Sequence, residues 1–304
     1  DFDPNEIQDI WDDLVNDSSS TVLLNRATQG RYPPGSTFKI VTALEYIREN
    51  PDTYNQYSFQ CTGSYQRDGS RISCYHGSVH GLVDFQASFA KSCNSSFANI
   101  GMGLDRSAFE ETLESLLFNR ELPLTLSYSQ SSVLASDDMS SAEMMQTSIG
   151  QGKTQITPIH LNMITSAIAG DGILYKPYVV DRVESAEGKV VKSFQPDSYG
   201  RLMSEEEAGL LKELMTAVVE EGTASKLSGL QYTAAGKTGS AEYGTVKGNS
   251  HAWFTGFAPV EDPEVCVTII VEGAGSGGDY AVPIAKRIFD TYFSEKYTSQ
   301  EELQ

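Results

Sequence analysis

Three strand-like segments follow one another in the last third of the chain, and they constrain its fold more than any other feature. They read YTAAGKTGSAEY, HAWFTGFAPV and EVCVTIIVEG, with turn residues between them. Consecutive strands with short links pair in antiparallel fashion, because a parallel pair needs a long crossover connection. The preceding segment YVVDRVESAEGKVVKSF predicts a hairpin that turns at Glu187–Gly188. Together these patterns predict an antiparallel sheet.

Helical patterns occupy the middle of the chain and return at its end. Two predicted helices begin with a serine that precedes a glutamate by three residues, as in a capping box. A third begins with threonine and proline and stops at glycine. The residues are Ser107 with Glu110, Ser204 with Glu207, and Thr157 and Pro158 with Gly170. We therefore expect an α/β (α+β) fold in which helices cover the sheet.

Net charge and hydropathy exclude two classes of function. A formal charge of −19 over 304 residues argues against a nucleic-acid partner, since the phosphate backbone is bound by clustered Lys and Arg. No apolar run approaches the roughly 18 residues of a membrane span. The opening DFDPNEIQDIW does not have the pattern of a signal peptide. We expect a piece of a longer protein whose targeting or anchoring segment lies upstream.

The stretch YPPGSTFKIVTALEYI places Ser36 at the mouth of a helical pattern, with Lys39 three residues later. Residues three apart on a helix share a face, so the lysine amine can reach the serine hydroxyl. One interpretation is a capped helix with a solvated lysine. The other is a nucleophile with its base, which requires that burial or a second cation lower the pKa of Lys39. One position can serve both purposes.

Two further motifs favour the nucleophile. KSCNSSF contains Ser92, Cys93 and Asn94 as an S-x-N motif, and AAGKTGSAEY contains the K-T-G motif Lys237–Gly239 on a predicted strand. Each motif alone is weak, because short patterns recur by chance. The set S-x-x-K, S-x-N and K-T-G, in this order, is typical of class A β-lactamases and penicillin-binding proteins.

With these motifs the chain resembles, over essentially its whole length, the transpeptidase domain of a class B (monofunctional) penicillin-binding protein. The resemblance rests also on LLNRATQGRYPPGSTFKI, on SIGQGKTQITPIHLNM and on AGKTGSAE followed by HAWFTGFAP. It implies a β-lactamase/D,D-peptidase-like fold, with a five-stranded antiparallel sheet between helices and an all-helical subdomain. We expect one domain over 1–304, with the mainly helical part at about 40–170 and the sheet and C-terminal helix at about 171–297. The first strands of that sheet would lie upstream.

The resemblance implies peptidoglycan synthesis by a D,D-transpeptidase, with roles in the cell wall, cell shape and antibiotic resistance. Ser36 would attack the carbonyl between the two terminal D-alanines of a stem peptide and pass the acyl group to an amine of a neighbouring stem. β-Lactams would acylate the same serine, and no cofactor is implied. Lys39 would be the base for acylation, Ser92 a proton shuttle near Lys237, and Asn94 a holder of substrate amides.

The third motif would bind the substrate. Lys237 and Thr238 would recognise the terminal carboxylate, and Gly239 would let the substrate backbone approach the strand. Ser240 stands where many relatives have threonine, and it keeps the hydroxyl. The backbone N–H groups of Ser36 and Ser240 would form the oxyanion hole. Two nearby ammonium groups, Lys39 and Lys237, would lower each other's pKa.

The resemblance also implies a location and a partner. The full-length protein would be anchored at the extracytoplasmic face of the bacterial cell membrane by an N-terminal segment that this chain lacks. A membrane glycosyltransferase would be its partner. Two alternatives stay open: a class D-like serine β-lactamase, which lacks the asparagine of the S-x-N motif, and a non-enzymatic β-lactam sensor domain.

The segment CTGSYQRDGSRISCYHGSVHG holds Cys61, Cys74, His76 and His80. A Cys61–Cys74 disulfide is typical of an extracytoplasmic domain. A zinc site made by these four residues is a second interpretation, although their spacing is not that of a known zinc finger. Free thiols and loop histidines are the third. For Cys93, inside the S-x-N motif, we expect a packing role away from the cleft, with a redox role as the alternative.

Overall fold

The computed structural model describes residues 3–134, 136, 138–244 and 248–301. Nine α-helices occur in this part of the chain. In chain order they are α1 (Ile7–Asn16), α2 (Lys39–Glu49), α3 (Phe85–Ala90), α4 (Asn94–Gly103), α5 (Arg106–Ser115), α6 (Ser141–Ser148), α7 (Pro158–Ala169), α8 (Glu205–Glu220) and α9 (Val282–Glu301). Among the helices of the described residues, none combines the length and the hydropathy of a membrane span.

The strands form small ladders and one central sheet. In chain order they are β1 (Ser58–Cys61), β2 (Ser64–Arg67), β3 (Ser70–Ser73), β4 (Gly81–Asp84), β5 (Ile173–Tyr175), β6 (Arg182–Glu184), β7 (Val190–Ser193), β8 (Ser198–Arg201), β9 (Ala235–Glu242), β10 (Ser250–Ala258) and β11 (Val265–Val271). The pairs β1–β4, β2–β3, β5–β8 and β6–β7 are antiparallel. The β6–β7 pair confirms the predicted hairpin.

The central sheet has the order β11-β10-β9, and both pairings are antiparallel. This confirms the antiparallel sheet predicted from the three late segments. Within the described residues the sheet has three strands, where the resemblance implied five. Every side chain of β10 is buried, so both faces of the middle strand are covered. Helix α7 packs against β10 and β11, and α8 packs against β9.

The part of the chain between α2 and α7 is mainly helical, but it is not all-helical. The two-stranded ladders β1–β4 and β2–β3 lie within it, in the segment that carries Cys61 and Cys74. Helix α2 runs through its core, with Lys39, Ile40 and Leu44 at most 1% exposed. The first of these residues is charged, and burying a charge is costly unless it is compensated. A polar site inside the helical core follows from that observation.

The helix starts show which capping predictions are right. Ser204 and Glu207 form the predicted capping box, and Thr157 caps α7 with Pro158 in the first turn. The prediction for Ser107 is wrong. Asp105 caps that helix by accepting the Ala108 N–H at 2.9 Å, since an aspartate is as good an N-cap as a serine.

Candidate active site

The predicted nucleophile, Ser36, lies in a 3₁₀ turn, Gly35–Phe38, that leads directly into α2. Pro34 precedes the turn, and no side chain caps it. The serine is therefore not a helix cap, and its half-buried side chain faces a cleft. Gly35 has a φ of +54°, and a Cβ there would lie 3.0 Å from Ala241 Cα. Glycine is required because the turn is left-handed at this point and packs closely on β9.

Lys39 begins α2 and is completely buried. Its Nζ donates to Asn94 Oδ1 at 2.7 Å, to the Ser92 carbonyl at 2.8 Å and to Ser92 Oγ at 3.2 Å. The first and second motifs, 53 residues apart in the chain, therefore meet at one nitrogen atom. Burial lowers the pKa of Lys39 to about 7, although the nearby Cys93 and Cys74 thiols oppose that shift. A lysine in this state can take up a proton near neutral pH.

The S-x-N motif lies in a tight connection between α3 and α4. Ser92 has a φ of +56°, a left-handed conformation that is unusual for serine and costs about 1–3 kcal/mol. Cys93 caps α4 and accepts the Ser96 N–H on its sulfur at 3.4 Å. Asn94 Nδ2 donates to the Ser73 carbonyl at 3.1 Å. These contacts from neighbouring segments thus stabilise a backbone conformation of the loop that is unfavourable by itself.

The K-T-G motif lies on the edge strand β9. Lys237 is completely buried, and its Nζ lies 5.4 Å from the centre of the Phe89 ring. Burial first, and then the positive charge of Lys39, lower the pKa of Lys237 well below its ordinary value. The expected effect therefore acts in one direction: the charge of Lys39 adds to burial in lowering the pKa of Lys237, whereas burial lowers the pKa of Lys39. Thr238 exchanges a hydrogen bond of 2.5 Å with Thr223, a residue that follows α8 and that no sequence motif indicated.

Close packing gives a further reason for glycine at position 239, and the approach of the substrate backbone stays a prediction. A Cβ at this position would lie 2.9 Å from the Pro34 carbonyl and 3.1 Å from Trp253 Cβ. The missing side chain lets β9 pack against the turn that carries Ser36 and against β10. The Ser240 Oγ accepts the Gly277 N–H at 3.3 Å, which ties the end of the motif to the turn before α9.

The three motifs meet at one cleft of about 480 Å³. Its lining includes Ser36, Ser92, Asn94, Thr238, Gly239 and Ser240. Lys39 and Lys237 are buried behind this surface. The structure thus brings together all the catalytic and substrate-binding residues predicted from the sequence, with hydroxyl and amide groups on the surface and two amines beneath it. The predicted oxyanion hole at Ser36 and Ser240 stays a prediction.

A cluster of sulfur atoms lies directly behind the second motif. Cys61 and Cys74 are free thiols with their Sγ atoms 3.7 Å apart, so the expected disulfide is not formed in the structure. Cys93 Sγ lies 3.7 Å from Cys74 Sγ, and His80 Nδ1 lies 3.4 Å from Cys61 Sγ. All four ligand atoms lie within 4.8 Å of one another. Cys93 points away from the cleft, as predicted, but it meets two other cysteines.

The zinc set that we considered from the sequence needs one correction. His76 is exposed, and its ring contacts the Tyr75 ring edge to face; Cys93 takes its place in the set. Two antiparallel ladders explain why. The β1–β4 register pairs Cys61 with Gly81, which brings His80 beside it, and the Cys74 N–H donates to the Gly63 carbonyl at 2.9 Å.

Comparison with known proteins agrees with this site. The family described as the penicillin binding protein transpeptidase domain matches residues 1–290. The peptidoglycan D,D-transpeptidase PbpA of Mycolicibacterium smegmatis is 31% identical over 91% of this chain and 58% of its own length. Stage V sporulation protein D of Bacillus subtilis is 29% identical over 95% of this chain and 45% of its own length.

Solved structures agree as well. The D,D-transpeptidase domain of a peptidoglycan glycosyltransferase from Eggerthella lenta superposes with a TM-score of 0.87 at 26% identity, over 96% of this chain and 72% of that one. Penicillin-binding protein A of M. tuberculosis, as a ceftriaxone acyl-enzyme complex, has a TM-score of 0.83 at 28% identity, over 95% and 67%. The chain spans about half the length of the two curated relatives. On the family match and the shared fold, the chain belongs to the penicillin-binding protein transpeptidase domain family.

Proposed function

We propose that this chain is a peptidoglycan D,D-transpeptidase domain that crosslinks stem peptides through an acyl-enzyme at Ser36 and is inhibited covalently by β-lactams. The observation that carries the proposal is the buried Lys39 amine, which contacts both polar residues of the S-x-N motif and has a pKa lowered to about 7. An amine of this kind is a base rather than a fixed charge at neutral pH.

In acylation, Ser36 Oγ forms an ester bond to the penultimate D-alanine carbonyl carbon, and the C–N bond to the last D-alanine breaks. Neutral Lys39 takes the hydroxyl proton and transfers it to Ser92, which contacts Lys39 Nζ and delivers a proton to the leaving amine, so Lys39 is neutral again in the acyl-enzyme. The hydroxyls of Thr238 and Ser240, on the cleft surface, bind the substrate carboxylate, with the Lys237 amine behind them. The backbone N–H groups of Ser36 and Ser240 bind the oxyanion.

In deacylation, an amine of a neighbouring stem attacks the ester carbonyl, and the ester C–O bond breaks. The acceptor amine gives up one proton to neutral Lys39, which passes it to Ser36 Oγ, so the enzyme ends the cycle unchanged. Covalent catalysis of this kind divides one high barrier into two lower ones. A β-lactam ring opens in the first step, but its amine stays attached to the acyl group, so the adduct persists.

The test is covalent labelling with a fluorescent penicillin, followed with time in a gel. We expect one stable adduct in the wild-type chain and none in Ser36→Ala. Ser115→Ala is the control, because Ser115 is exposed on α5, away from the cleft. Rapid turnover of the penicillin would favour the class D-like β-lactamase instead. No adduct in the wild-type chain would reject the nucleophile.

A second assay separates an enzyme from a sensor. A stem pentapeptide donor and a peptide acceptor amine are incubated with the protein, and mass spectrometry follows the crosslinked product and free D-alanine. A sensor domain would be acylated by penicillin and would release no D-alanine. Action at the extracytoplasmic face of the cell membrane, an N-terminal anchor and a glycosyltransferase partner are parts of the proposal that concern the full-length protein.

A further inference from the structure

The sulfur cluster behind the second motif has the geometry of a metal site. We propose that Cys61, Cys74, His80 and Cys93 bind one Zn²⁺ ion, and that this ion holds the Ser92–Asn94 loop in its catalytic position. The metal site stands on its own geometry. Its effect on catalysis rests on the function proposed above.

Three of the six distances between ligand atoms in the cluster fit tetrahedral zinc, and the other three are at most 4.8 Å. With Zn–S bonds of about 2.3 Å and a Zn–N bond of about 2.0 Å, neighbouring ligand atoms lie about 3.8 Å apart for two sulfurs and about 3.5 Å apart for sulfur and nitrogen. The sulfur pairs Cys61–Cys74 and Cys74–Cys93 are both separated by 3.7 Å. His80 Nδ1 lies 3.4 Å from Cys61 Sγ. A disulfide would need about 2.05 Å and would use only two of the three thiols.

Each sulfur atom also has a hydrogen-bond partner that suits a bound thiolate. The Gly63 N–H donates to Cys61 Sγ at 3.4 Å, and the Ser96 N–H donates to Cys93 Sγ at the same distance. The Ser95 hydroxyl lies 3.0 Å from Cys74 Sγ. Donors of this kind orient metal ligands and stabilise the negative charge on sulfur.

The ligand set indicates both the metal and its role. Three thiolates and one imidazole favour zinc over calcium or magnesium, which take oxygen ligands. Four protein ligands close the coordination sphere, as in structural zinc sites, whereas catalytic zinc keeps one position open for water. The three cysteines are at most 3% exposed, and His80 lies at the edge of the cluster. The ion would therefore act through structure rather than through bound water.

The cluster connects to the active site through Cys93. This residue lies between Ser92 and Asn94, the two residues that contact Lys39 Nζ. Asn94 also donates to the Ser73 carbonyl at 3.1 Å, next to the ligand Cys74. Ser92 keeps a left-handed φ of +56°, which persists only when the surroundings enforce it. A metal bond at Cys93 supplies that constraint from behind the cleft.

The first experiment measures metal content. Protein purified without added metal is analysed for zinc by mass spectrometry of the elements, and apoprotein is titrated with Co²⁺, whose thiolate charge-transfer bands report sulfur ligands. We expect one zinc per chain in the wild type, and a loss of bound zinc in Cys93→Ser and His80→Gln. His76→Gln and Cys266→Ser are matched controls that should keep it, because His76 is exposed and Cys266 lies on β11.

Three outcomes would overturn the site. They are wild-type protein that takes up neither zinc nor Co²⁺, full zinc content in Cys93→Ser, and a Cys61–Cys74 disulfide in protein isolated without a reductant. If Cys93→Ser does not fold, His80→Gln still tests the site by its loss of zinc. His80 lies at the edge of the cluster, and its glutamine variant keeps all three thiols.

The second experiment measures the effect on acylation. Wild-type protein is stripped of metal with a chelator, and part of it is then reloaded with Zn²⁺. The rate of labelling by fluorescent penicillin is measured for the untreated, stripped and reloaded protein. We expect acylation to slow by about ten- to a hundred-fold on stripping, because small displacements of reacting groups cost about that much, and to recover on reloading. Metal binding with an unchanged acylation rate would reject the positioning role. Absence of acylation in every form would reject the proposed function and leave the metal stoichiometry standing.

Discussion

The pH dependence of Ser36 acylation tests the role of Lys39 most directly. An ordinary lysine with a pKa of 10.5 is neutral in about one molecule in 3,000 at pH 7. Burial lowers the pKa of Lys39 to about 7, so about half of the molecules carry the neutral amine at that pH. Because the neutral amine is the base, the acylation rate should rise through about pH 7 and level off near pH 8–9.

The assay is the second-order rate constant for labelling by a fluorescent penicillin, measured from pH 5 to pH 10 at constant ionic strength. Lys39→Arg is the comparison variant, because arginine keeps the charge and does not lose its proton in this range. We expect that variant to be slower by about 10²–10⁴-fold, the usual contribution of a general base. A wild-type rate that is flat from pH 6 to pH 9, or that rises only near pH 10, would refute the assignment.

Two further predictions concern stability. Gly239→Ala should destabilise the fold by about 1–3 kcal/mol and slow acylation, since its Cβ would lie 2.9 Å from the Pro34 carbonyl; urea unfolding and penicillin labelling measure both effects, and an unchanged protein would contradict the packing argument. Burial lowers the pKa of His160 from 6.5 to about 4. The stability that this neutral imidazole contributes is complete above about pH 6.5 and is lost as the pH falls towards 4. Between pH 7 and pH 4.5, His160→Gln should lose about 2–3 kcal/mol less stability than the wild type; equal losses in urea unfolding would be the contrary result.

Local rules predicted much of the fold. The three late segments became β9, β10 and β11 because adjacent strands with short turns have few other ways to pair. The cap at Thr157 and the capping box at Ser204 are set by residues within one turn. The error at Ser107 is also local, since Asp105 and Ser107 are both good caps and propensity does not rank them.

The sequence indicated which residues belong to the candidate site, but it did not predict the contacts between them. Motif order identified Ser36, Lys39 and Lys237, yet the burial of both lysines depends on how α2 and β9 pack, which no spacing gives. The sulfur cluster shows the same limit. His76 is two residues from Cys74 in sequence and His80 is six, yet the β1–β4 register brings His80, and not His76, beside Cys61.

The three hydrogen bonds from Lys39 Nζ must rearrange when Lys39 loses its proton and becomes a base. An ammonium has three hydrogens, and the two carbonyl-type oxygens and the Ser92 hydroxyl accept all of them. A neutral amine has two hydrogens and one lone pair, so loss of the proton must release one partner. The longest of the three bonds, at 3.2 Å, goes to Ser92 Oγ, and only that partner can reverse its role and donate to the lone pair. Deprotonation of Lys39 therefore turns the Ser92 hydroxyl from an acceptor into a donor, and this hydroxyl must leave the lone pair before Lys39 can take the proton of Ser36.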